Sequence, residues 1–266
     1  MAPYGIKWGW IAESRFITPS ETLQTIKTMK TDLGYDFIDY VEGPNEPDNF
    51  QRDVPNIIQL TRQYTIDLYN NFTLDPQTAS IPLVAPSMST VGGLLGIGDI
   101  SPWVDYANGH IYTNPAHPGF VIVDRYLEYH KIPVPGKSMK VTETGSHTSD
   151  TRGGGYDGVS EYVQAKYTPR GLFELYNRGM DSVYIYGFMN DGTNASDYRH
   201  NSGLLHLNGT RKPAFYAVKN TIALLREPNS DIAQSNLRYS ITSNHPQVHH
   251  TLLQKSNGDF YLVLWL

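Results

Sequence analysis

The segment Phe37-Ile-Asp-Tyr-Val-Glu-Gly-Pro-Asn-Glu-Pro-Asp48 decides the fold, because it joins a strand to a loop that cannot continue it. Its first part, residues 37–41, is aromatic and β-branched, which is typical of a strand. Its second part is rich in Gly and Pro, which end regular structure. A helix start precedes it, since Thr18-Pro-Ser-Glu21 places a capping threonine, a proline at the first helical position and a glutamate at the third. This order predicts an α/β unit.

The same alternation of helix and strand continues along the chain. Strands that alternate with helices favour a parallel sheet. No glycine-rich phosphate loop follows the first strand, which disfavours a dinucleotide-binding fold. We therefore predict an α/β fold, a (β/α)₈ TIM barrel whose first two strands are missing and lie upstream of Met1. The predicted helices are 18–33, 55–70, 120–129, 160–177 and 212–225, and the predicted strands are 4–11, 37–41, 82–85, 106–112, 139–142 and 182–186.

The pattern changes after Pro228. Turns rich in Gly, Asn and Ser alternate there with short apolar runs of period two, and the sequence stops inside the apolar run 260–266. We therefore predict a barrel catalytic domain over residues 1–227 and the start of a β-rich domain over residues 228–266. Intact domains usually finish in exposed, loosely held residues, so both ends favour a fragment of a longer chain.

The composition excludes several classes of protein. The 266 residues include 21 basic and 26 acidic ones, a net charge of −5, and nucleic-acid binders need clustered cations. No apolar run approaches the roughly 20 residues of a membrane span, so we expect no membrane partner. Cysteine is absent, which removes disulfides, thiolate nucleophiles and cysteine-based metal sites. Aromatic residues are unusually frequent, with 19 Tyr, 9 Phe and 4 Trp, and many of them lie in predicted loops.

Two glutamates each follow a predicted apolar strand. Glu46 lies in Asn45-Glu46-Pro47, and Glu143 lies in Thr142-Glu143-Thr144. Because the carboxyl ends of barrel strands open onto one face, the two side chains can meet there. Breaking a glycosidic bond needs one carboxylic acid to protonate the leaving oxygen and one carboxylate to attack or stabilise the sugar carbon. The pair therefore predicts a glycosidase site.

These strings, together with His110-Ile-Tyr112, resemble the retaining glycoside hydrolases of clan A, which are (β/α)₈ enzymes with glutamates at the ends of their fourth and seventh strands. The longer strings 42–48, 203–205 and 212–225 are similar to bacterial secreted members, many of which end in a small β-domain. The resemblance covers about residues 4–227. It implies a carbohydrate substrate, an extracellular location and no cofactor, although this chain shows no signal peptide.

The resemblance also implies roles for individual residues. Glu46 would be the acid/base and Glu143 the nucleophile of a retaining double displacement. Asn45 would hydrogen-bond the sugar 2-hydroxyl, Tyr112 would orient Glu143, and His110 would line the floor of the subsite. The last strand lacks the tryptophan that many clan members use as a sugar platform, so other aromatic residues would substitute for it. The further substrate-binding residues predicted are Trp8, Tyr186, Phe188 and Asn190.

Two alternatives remain open. A catalytically inactive barrel that binds carbohydrate would share the fold, although such a protein gains little from two crowded carboxylates. Metal-assisted hydrolysis through His110, His117, His147 and Glu143 would need a suitable ligand pattern. His110, His117 and His147 each lack a second histidine four residues away, the spacing of a helical zinc site, so we predict no metal ligands.

Overall fold

The computed structural model describes residues 6–34, 36–120, 122–153, 156–226 and 235–266. Helices and strands alternate up to residue 225, and a strand pair follows. The strands are β1 (Trp8–Ile11), β2 (Ile38–Glu42), β3 (Leu83–Val84), β4 (Ala107–Tyr112), β5 (Met139–Gly145), β6 (Ser182–Ile185), β7 (His249–Gln254) and β8 (Phe260–Trp265). The helices are α1 (Pro19–Leu33), α2 (Pro47–Phe50), α3 (Ile57–Leu74), α4 (Val91–Gly96), α5 (Ile122–Lys131), α6 (Glu161–Asn177) and α7 (Pro213–Leu225).

The chain divides into two compact units. The first comprises Met1–Ile111, Asp124–Glu143 and Met180–Ser182, and the second comprises Tyr112–Val123, Thr144–Gly179 and Val183–Leu266. None of the helices in the described part of the chain combines the length and hydropathy needed to cross a bilayer.

The sheet of the first unit is parallel where the sequence predicts it to be. Strands β1, β2 and β3 pair in that order, with Trp8 opposite Ile38 and Glu42 opposite Val84. A single parallel bridge from Val84 to Tyr106 extends the sheet towards β4. Strands β4, β5 and β6 form a second three-stranded sheet in sequence order. The predicted mixed α/β fold is confirmed. Because these sheets are short, the closed barrel stays a prediction.

Helix α1 begins as the sequence predicts. The Thr18 hydroxyl accepts a hydrogen bond from the Glu21 backbone N–H at 3.2 Å, and the Glu21 carboxylate accepts one from the Thr18 N–H at 2.8 Å. The helix ends at Gly34, whose φ of 67° is one that glycine adopts without strain. The predicted capping box is therefore confirmed.

An apolar cluster holds α1 and α3 against the first sheet. Leu68 and Phe72, one helical turn apart on α3, pack with Ile26 of α1 and with Phe37 and Val41 beside or within β2, and all five are at most 1% exposed. Burying each such side chain contributes roughly 1.5–3 kcal/mol. The cluster therefore fixes the strand whose carboxyl end carries the Asn45-Glu46-Pro47 string.

The second unit ends in an antiparallel hairpin, β7–β8, that packs on α6. The Asn177 side chain accepts a hydrogen bond from the Thr251 hydroxyl at 2.8 Å and donates one to the His250 carbonyl at 2.9 Å. The Trp265 indole donates to the Glu174 carboxylate at 2.8 Å. The hairpin thus belongs to the same compact unit as α6 and α7. Residues 227–234 lie outside the described residues, and the predicted domain boundary at 227/228 stays a prediction.

Candidate active site

The backbone around Glu46 is held in an unusual conformation. After β2 the chain turns so that Asn45 forms a parallel bridge with Ser87, and the Glu46 N–H donates to the Ser87 carbonyl at 2.9 Å. Glu46 itself has a φ of 42°, in the left-handed region that costs a non-glycine residue roughly 1–2 kcal/mol. Pro47, at the first position of α2, disfavours the right-handed conformation for the residue before it. Strain of this kind is common at functional residues.

Glu46 and Glu143 converge on one imidazole. Oε1 of Glu46 lies 2.8 Å from Nδ1 of His110, and Oε2 of Glu143 lies 3.5 Å from the same nitrogen. One oxygen of each carboxylate and a His110 ring nitrogen all lie within 4.8 Å of one another. The carboxylate side chains are 17% and 20% exposed, whereas that of His110 is 4% exposed. The site therefore presents two reachable carboxylates above a buried cationic ring.

A set of buried polar side chains supports His110 from below. Asn108 and His110 lie two residues apart on β4 and so share one face of the strand. The Asn108 amide donates to Glu42 Oε1 at 2.8 Å and to the Ala85 carbonyl at 3.1 Å. Its own oxygen accepts from the Thr142 hydroxyl at 2.7 Å. Oε1 of Glu42 lies 3.7 Å from His110 Nε2, so this contact is an ion pair longer than a hydrogen bond.

The surrounding carboxylates decide the charge of His110. Burial alone would lower the pKa of this imidazole, because a charged ring is poorly solvated there. Glu42 and Glu46 at hydrogen-bonding or ion-pair distance, with the charge of Glu143, outweigh burial and raise the pKa of His110 to about 10. His110 is therefore an imidazolium at neutral pH, and its Nδ1–H donates to Glu46.

The same contact acts on Glu46 in the opposite direction. Burial favours the protonated form of this carboxyl and raises its pKa. The hydrogen bond and the positive charge of His110, with a 3.2 Å hydrogen bond from Asn49 Nδ2, outweigh burial. The net result is a pKa of Glu46 below its ordinary value of 4.5. In the free protein Glu46 is thus a carboxylate except in acid.

The donor atoms of Glu46, His110 and Glu143 are close enough together to surround a cation. Two carboxylates and one imidazole are a ligand set that zinc accepts. A metal would need the lone pair of one His110 ring nitrogen, however, and a metal-binding imidazole must be neutral. Nδ1 donates to Glu46, and Nε2 of the imidazolium carries the second ring proton at 3.7 Å from Glu42, so neither nitrogen offers a lone pair. We assign the cluster as an ion-paired site and not as a set of metal ligands.

Asn45 and Trp8 are the other two predicted site residues in the first unit, and they have different surroundings. Asn45 lies beside Glu46, and its side-chain oxygen accepts a 3.4 Å hydrogen bond from the Ser87 hydroxyl. Trp8 lies at the amino end of β1, opposite Ile38, whereas Glu46 lies beyond the carboxyl end of β2. Its ring packs edge-on against Phe37 at 5.8 Å, at the apolar cluster, and its substrate role stays a prediction.

The remaining predicted residues lie in the second unit. The Tyr112 ring meets Tyr156 edge-on at 6.1 Å, and Phe188 is 66% exposed. The Tyr186 backbone N–H donates to the Thr144 carbonyl at 2.8 Å. The substrate roles of Tyr112, Tyr186 and Phe188 stay predictions.

Asn190, also in the second unit, is buried and hydrogen-bonded within it. It is 7% exposed, and its side-chain oxygen accepts hydrogen bonds from the Gly203 N–H at 3.0 Å and from Lys212 Nζ at 3.1 Å. This oxygen is used to tie one loop to another and to satisfy a buried ammonium group. Asn190 is therefore part of the internal framework of its unit, and its substrate role stays a prediction.

Sequence reasoning missed Glu42, Asn108 and Thr142 as parts of the site. The available signal was polar residues inside strands that are otherwise apolar and buried, which is rare unless the polar groups are paired. Asn108 also precedes His110 by two residues, the spacing that places both on one face of a strand.

Comparison with known proteins gives no match by sequence and a clear match by fold. No model of a known protein family matches the chain, and neither does any curated protein. A β-galacturonidase of family GH2 from Eisenbergiella tayi superposes with a TM-score of 0.56 at 19% identity, over 83% of this chain and 38% of the other. This protein shares the fold of glycoside hydrolases.

Two further structures support the same likeness. An active-site mutant of the β-1,3-glucanosyltransferase of Rhizomucor miehei, in complex with laminaritriose, superposes with a TM-score of 0.55 at 13% identity, over 80% of this chain and 77% of the other. A family 39 glycoside hydrolase of Bacteroides cellulosilyticus gives a TM-score of 0.50 at 20% identity, over 75% of this chain and 44% of the other. The chain thus spans about 38% of the galacturonidase, and at these identities the likeness is one of fold.

Proposed function

We propose that the protein is a retaining glycoside hydrolase that cleaves O-glycosidic bonds of an oligo- or polysaccharide, with Glu143 as nucleophile and Glu46 as acid/base. The observation that carries this proposal is the convergence of the two carboxylates on His110, with their nearest oxygens within 4.8 Å. The shared fold of glycoside hydrolases supports it independently of the site.

The spacing of the carboxylates favours retention of configuration. Retaining glycosidases place their carboxyl groups about 5–5.5 Å apart, whereas inverting ones leave roughly 6.5–9.5 Å for a water molecule. One oxygen of Glu46 and one of Glu143 lie within 4.8 Å of each other, which is closer to the retaining spacing than to the inverting one. The arrangement therefore suits a double displacement through a glycosyl-enzyme intermediate.

The proposed reaction assigns a step to each group. Glu143 attacks the anomeric carbon while Glu46 protonates the leaving oxygen, and Glu46 then takes a proton from water as that water releases the sugar. His110 holds both carboxylates on one side through Nδ1. Because the pKa of Glu46 is lowered, its acid form exists mainly at low pH. We expect kcat/KM to be highest in acid and to fall as pH rises through the pKa of Glu46.

Membership of clan A, closure of the strands into a (β/α)₈ barrel and an extracellular location belong to the same proposal. They are supported by the strings around Glu46, His110 and Glu143 and by strands that neighbour one another in sequence order. The identity of the sugar is sought among the substrates that the structural neighbours suggest: β-galacturonides, β-glucuronides and β-1,3-glucans.

The experiment is a screen of aryl β-glycosides and β-1,3-glucan oligosaccharides with three proteins. The wild type is expected to hydrolyse at least one member. Glu46→Ala should lose on the order of 10²–10⁴-fold on substrates with poor leaving groups, the usual contribution of general acid catalysis. Azide should restore turnover of a substrate with an activated leaving group, because this nucleophile needs no general base. Glu128→Gln, an exposed carboxyl on α5, is the matched control and should behave as the wild type.

Two outcomes would overturn the proposal. Unchanged turnover by Glu46→Ala, on a substrate that the wild type cleaves, would remove Glu46 from the reaction. Glycan binding without cleavage of any member would favour the inactive, carbohydrate-binding alternative.

A further inference from the structure

Glu42 is the most deeply buried carboxylate beside the site, and the proposed reaction does not use it. It is 1% exposed at the end of β2, four residues before Glu46, and lies on the Nε2 side of His110. Burying a charge costs free energy unless the charge is paired. In the described part of the chain, His110 is the one cationic side chain within ion-pair distance of Glu42.

We propose that Glu42 is a positioning residue for the reaction: anchored by Asn108, it holds His110 as an imidazolium whose Nδ1 side faces Glu46 and Glu143. This inference rests on the proposed function, because it assigns Glu42 a part in the same site.

The geometry fixes Glu42 in place. Asn108 Nδ2 donates to its Oε1 at 2.8 Å, and Asn108 is itself fixed by the Ala85 carbonyl and the Thr142 hydroxyl. The carboxylate oxygen that Asn108 holds is the one that faces His110. The ring is thereby held with Nε2 towards Glu42 and Nδ1 towards Glu46.

The reaction supplies the reason for a third carboxylate. Glu143 loses its negative charge when it bonds to the sugar, and Glu46 gains and loses a proton in each turnover. Either change weakens the attraction that keeps His110 protonated. Glu42 touches neither the sugar nor the leaving group, so its contact with His110 is the same at each step. His110 can therefore remain a hydrogen-bond donor to Glu46 at every step.

The groups that face His110 come from four segments. Glu42 ends β2, Glu46 lies in the loop after it, and Glu143 lies on β5. His130 of α5 also acts on the site, but burial and the positive charge of His110 lower its pKa, so it brings no positive charge at neutral pH. His110 is thus the cation on which all three carboxylates act.

The proposal predicts the sign of a pH shift. Removing a negative charge near Glu46 would by itself make Glu46 a stronger acid, and the falling limb of kcat/KM would move to lower pH. If Glu42 acts through His110, the Glu42→Gln variant instead frees the ring from the orientation in which Nδ1 faces Glu46. Glu46 then loses its charged donor, burial raises its pKa, and the limb moves to higher pH. The two mechanisms therefore differ in direction.

The experiment follows His110 directly, by NMR titration of protein with ¹⁵N-labelled histidine, and follows kcat/KM against pH in parallel. For Glu42→Gln we expect the pKa of His110 to fall by at least about one unit, a tenfold change in proton affinity. The falling limb of kcat/KM should move to higher pH, with kcat affected more than KM. Glu174 is a second buried carboxylate, far from Glu42 in the sequence, so Glu174→Gln is the matched control. It should change neither the pKa of His110 nor the pH of the falling limb.

An unchanged His110 titration, or a limb that moves to lower pH, would overturn the proposal. If Glu42→Gln does not fold, Glu42→Asp replaces it: the charge is kept but withdrawn by one methylene, and a smaller fall in the pKa of His110 is expected. If the wild type cleaves no glycoside, the proposed function fails, while the NMR titration still decides whether Glu42 controls His110.

Discussion

Each unit of the protein buries carboxylates, and the two units pair them in opposite ways. In the second unit Glu174, with a side chain 3% exposed, receives Arg178 at 2.6 Å, His249 at 2.7 Å and Trp265 at 2.8 Å. Three donors thus surround one acid. In the first unit three acids surround one donor ring, that of His110.

The difference separates a structural use of charge from a chemical one. A buried carboxylate with full pairing fixes packing, and Glu174 ties α6 to the hairpin in this way. A cluster with surplus negative charge is costly to fold and shifts proton affinities, which is the property that acid–base chemistry requires. Unequal pairing, more than burial itself, is the reason for which we place the proposed reaction in the first unit.

The largest expected effect is on activity, and it distinguishes Glu143 of the proposed site from the structural carboxylate Glu174. Glu143→Gln removes the attacking oxygen and should lower kcat by at least about 10³-fold, since loss of a nucleophile is among the most damaging changes to an enzyme. Glu174→Gln should leave kcat per folded molecule unchanged. Steady-state rates on a substrate found in the glycoside screen measure kcat for both variants. Equal losses of kcat would contradict the distinction between Glu143 and Glu174.

The reverse effect is expected on stability. Glu174→Ala leaves the Arg178, His249 and Trp265 donors without their acceptor, which should lower the free energy of unfolding by about 3–5 kcal/mol. Glu143→Gln removes one of three crowded negative charges and should not destabilise the protein. Urea unfolding followed by tryptophan fluorescence measures both, and a Glu174→Ala variant as stable as the wild type would show that this pairing is dispensable.

His110 should also make stability depend on pH in a defined window. Its pKa is raised from an ordinary 6.5 to about 10, so the stability it contributes is fully present below about pH 6.5 and is lost as pH rises through about 10. The midpoint of urea unfolding should therefore fall over this range in the wild type. The His110→Gln variant should lose that part of the slope, and identical slopes would contradict the assigned charge state.

The smallest expected effect is on stability and concerns the N-terminal cap of α1 in the first unit. Thr18→Ala removes the cap of α1 and should cost about 1 kcal/mol of stability. The reaction rate per folded molecule should not change, because α1 carries no residue of the site. A change in the pH profile of kcat/KM would show that the site depends on this helix.

Local patterns predicted the elements, while long-range contacts decided the finer features of the site. The cap at Thr18 and the strand before Glu42 depend on neighbouring residues, so they could be identified from the sequence. The meeting of Glu46 with Glu143 followed from the rule that parallel strands end on one face.

Contacts between residues distant in sequence limited what could be inferred about single residues. Trp8 and Asn190 were predicted as sugar contacts from residue type and position near strands. Their packing partners, Phe37 for one and Lys212 for the other, are distant in sequence. The pairing of Glu42 with Asn108 also joins distant positions and could not be identified from either segment alone.

The stereochemistry of the first product tests the central claim most directly. Proton NMR during the first minutes of hydrolysis distinguishes the two anomers before they interconvert. Two carboxylates that converge on His110 predict a product with the configuration of the substrate. An inverted first product would require a water molecule between Glu46 and Glu143 and would contradict the double displacement.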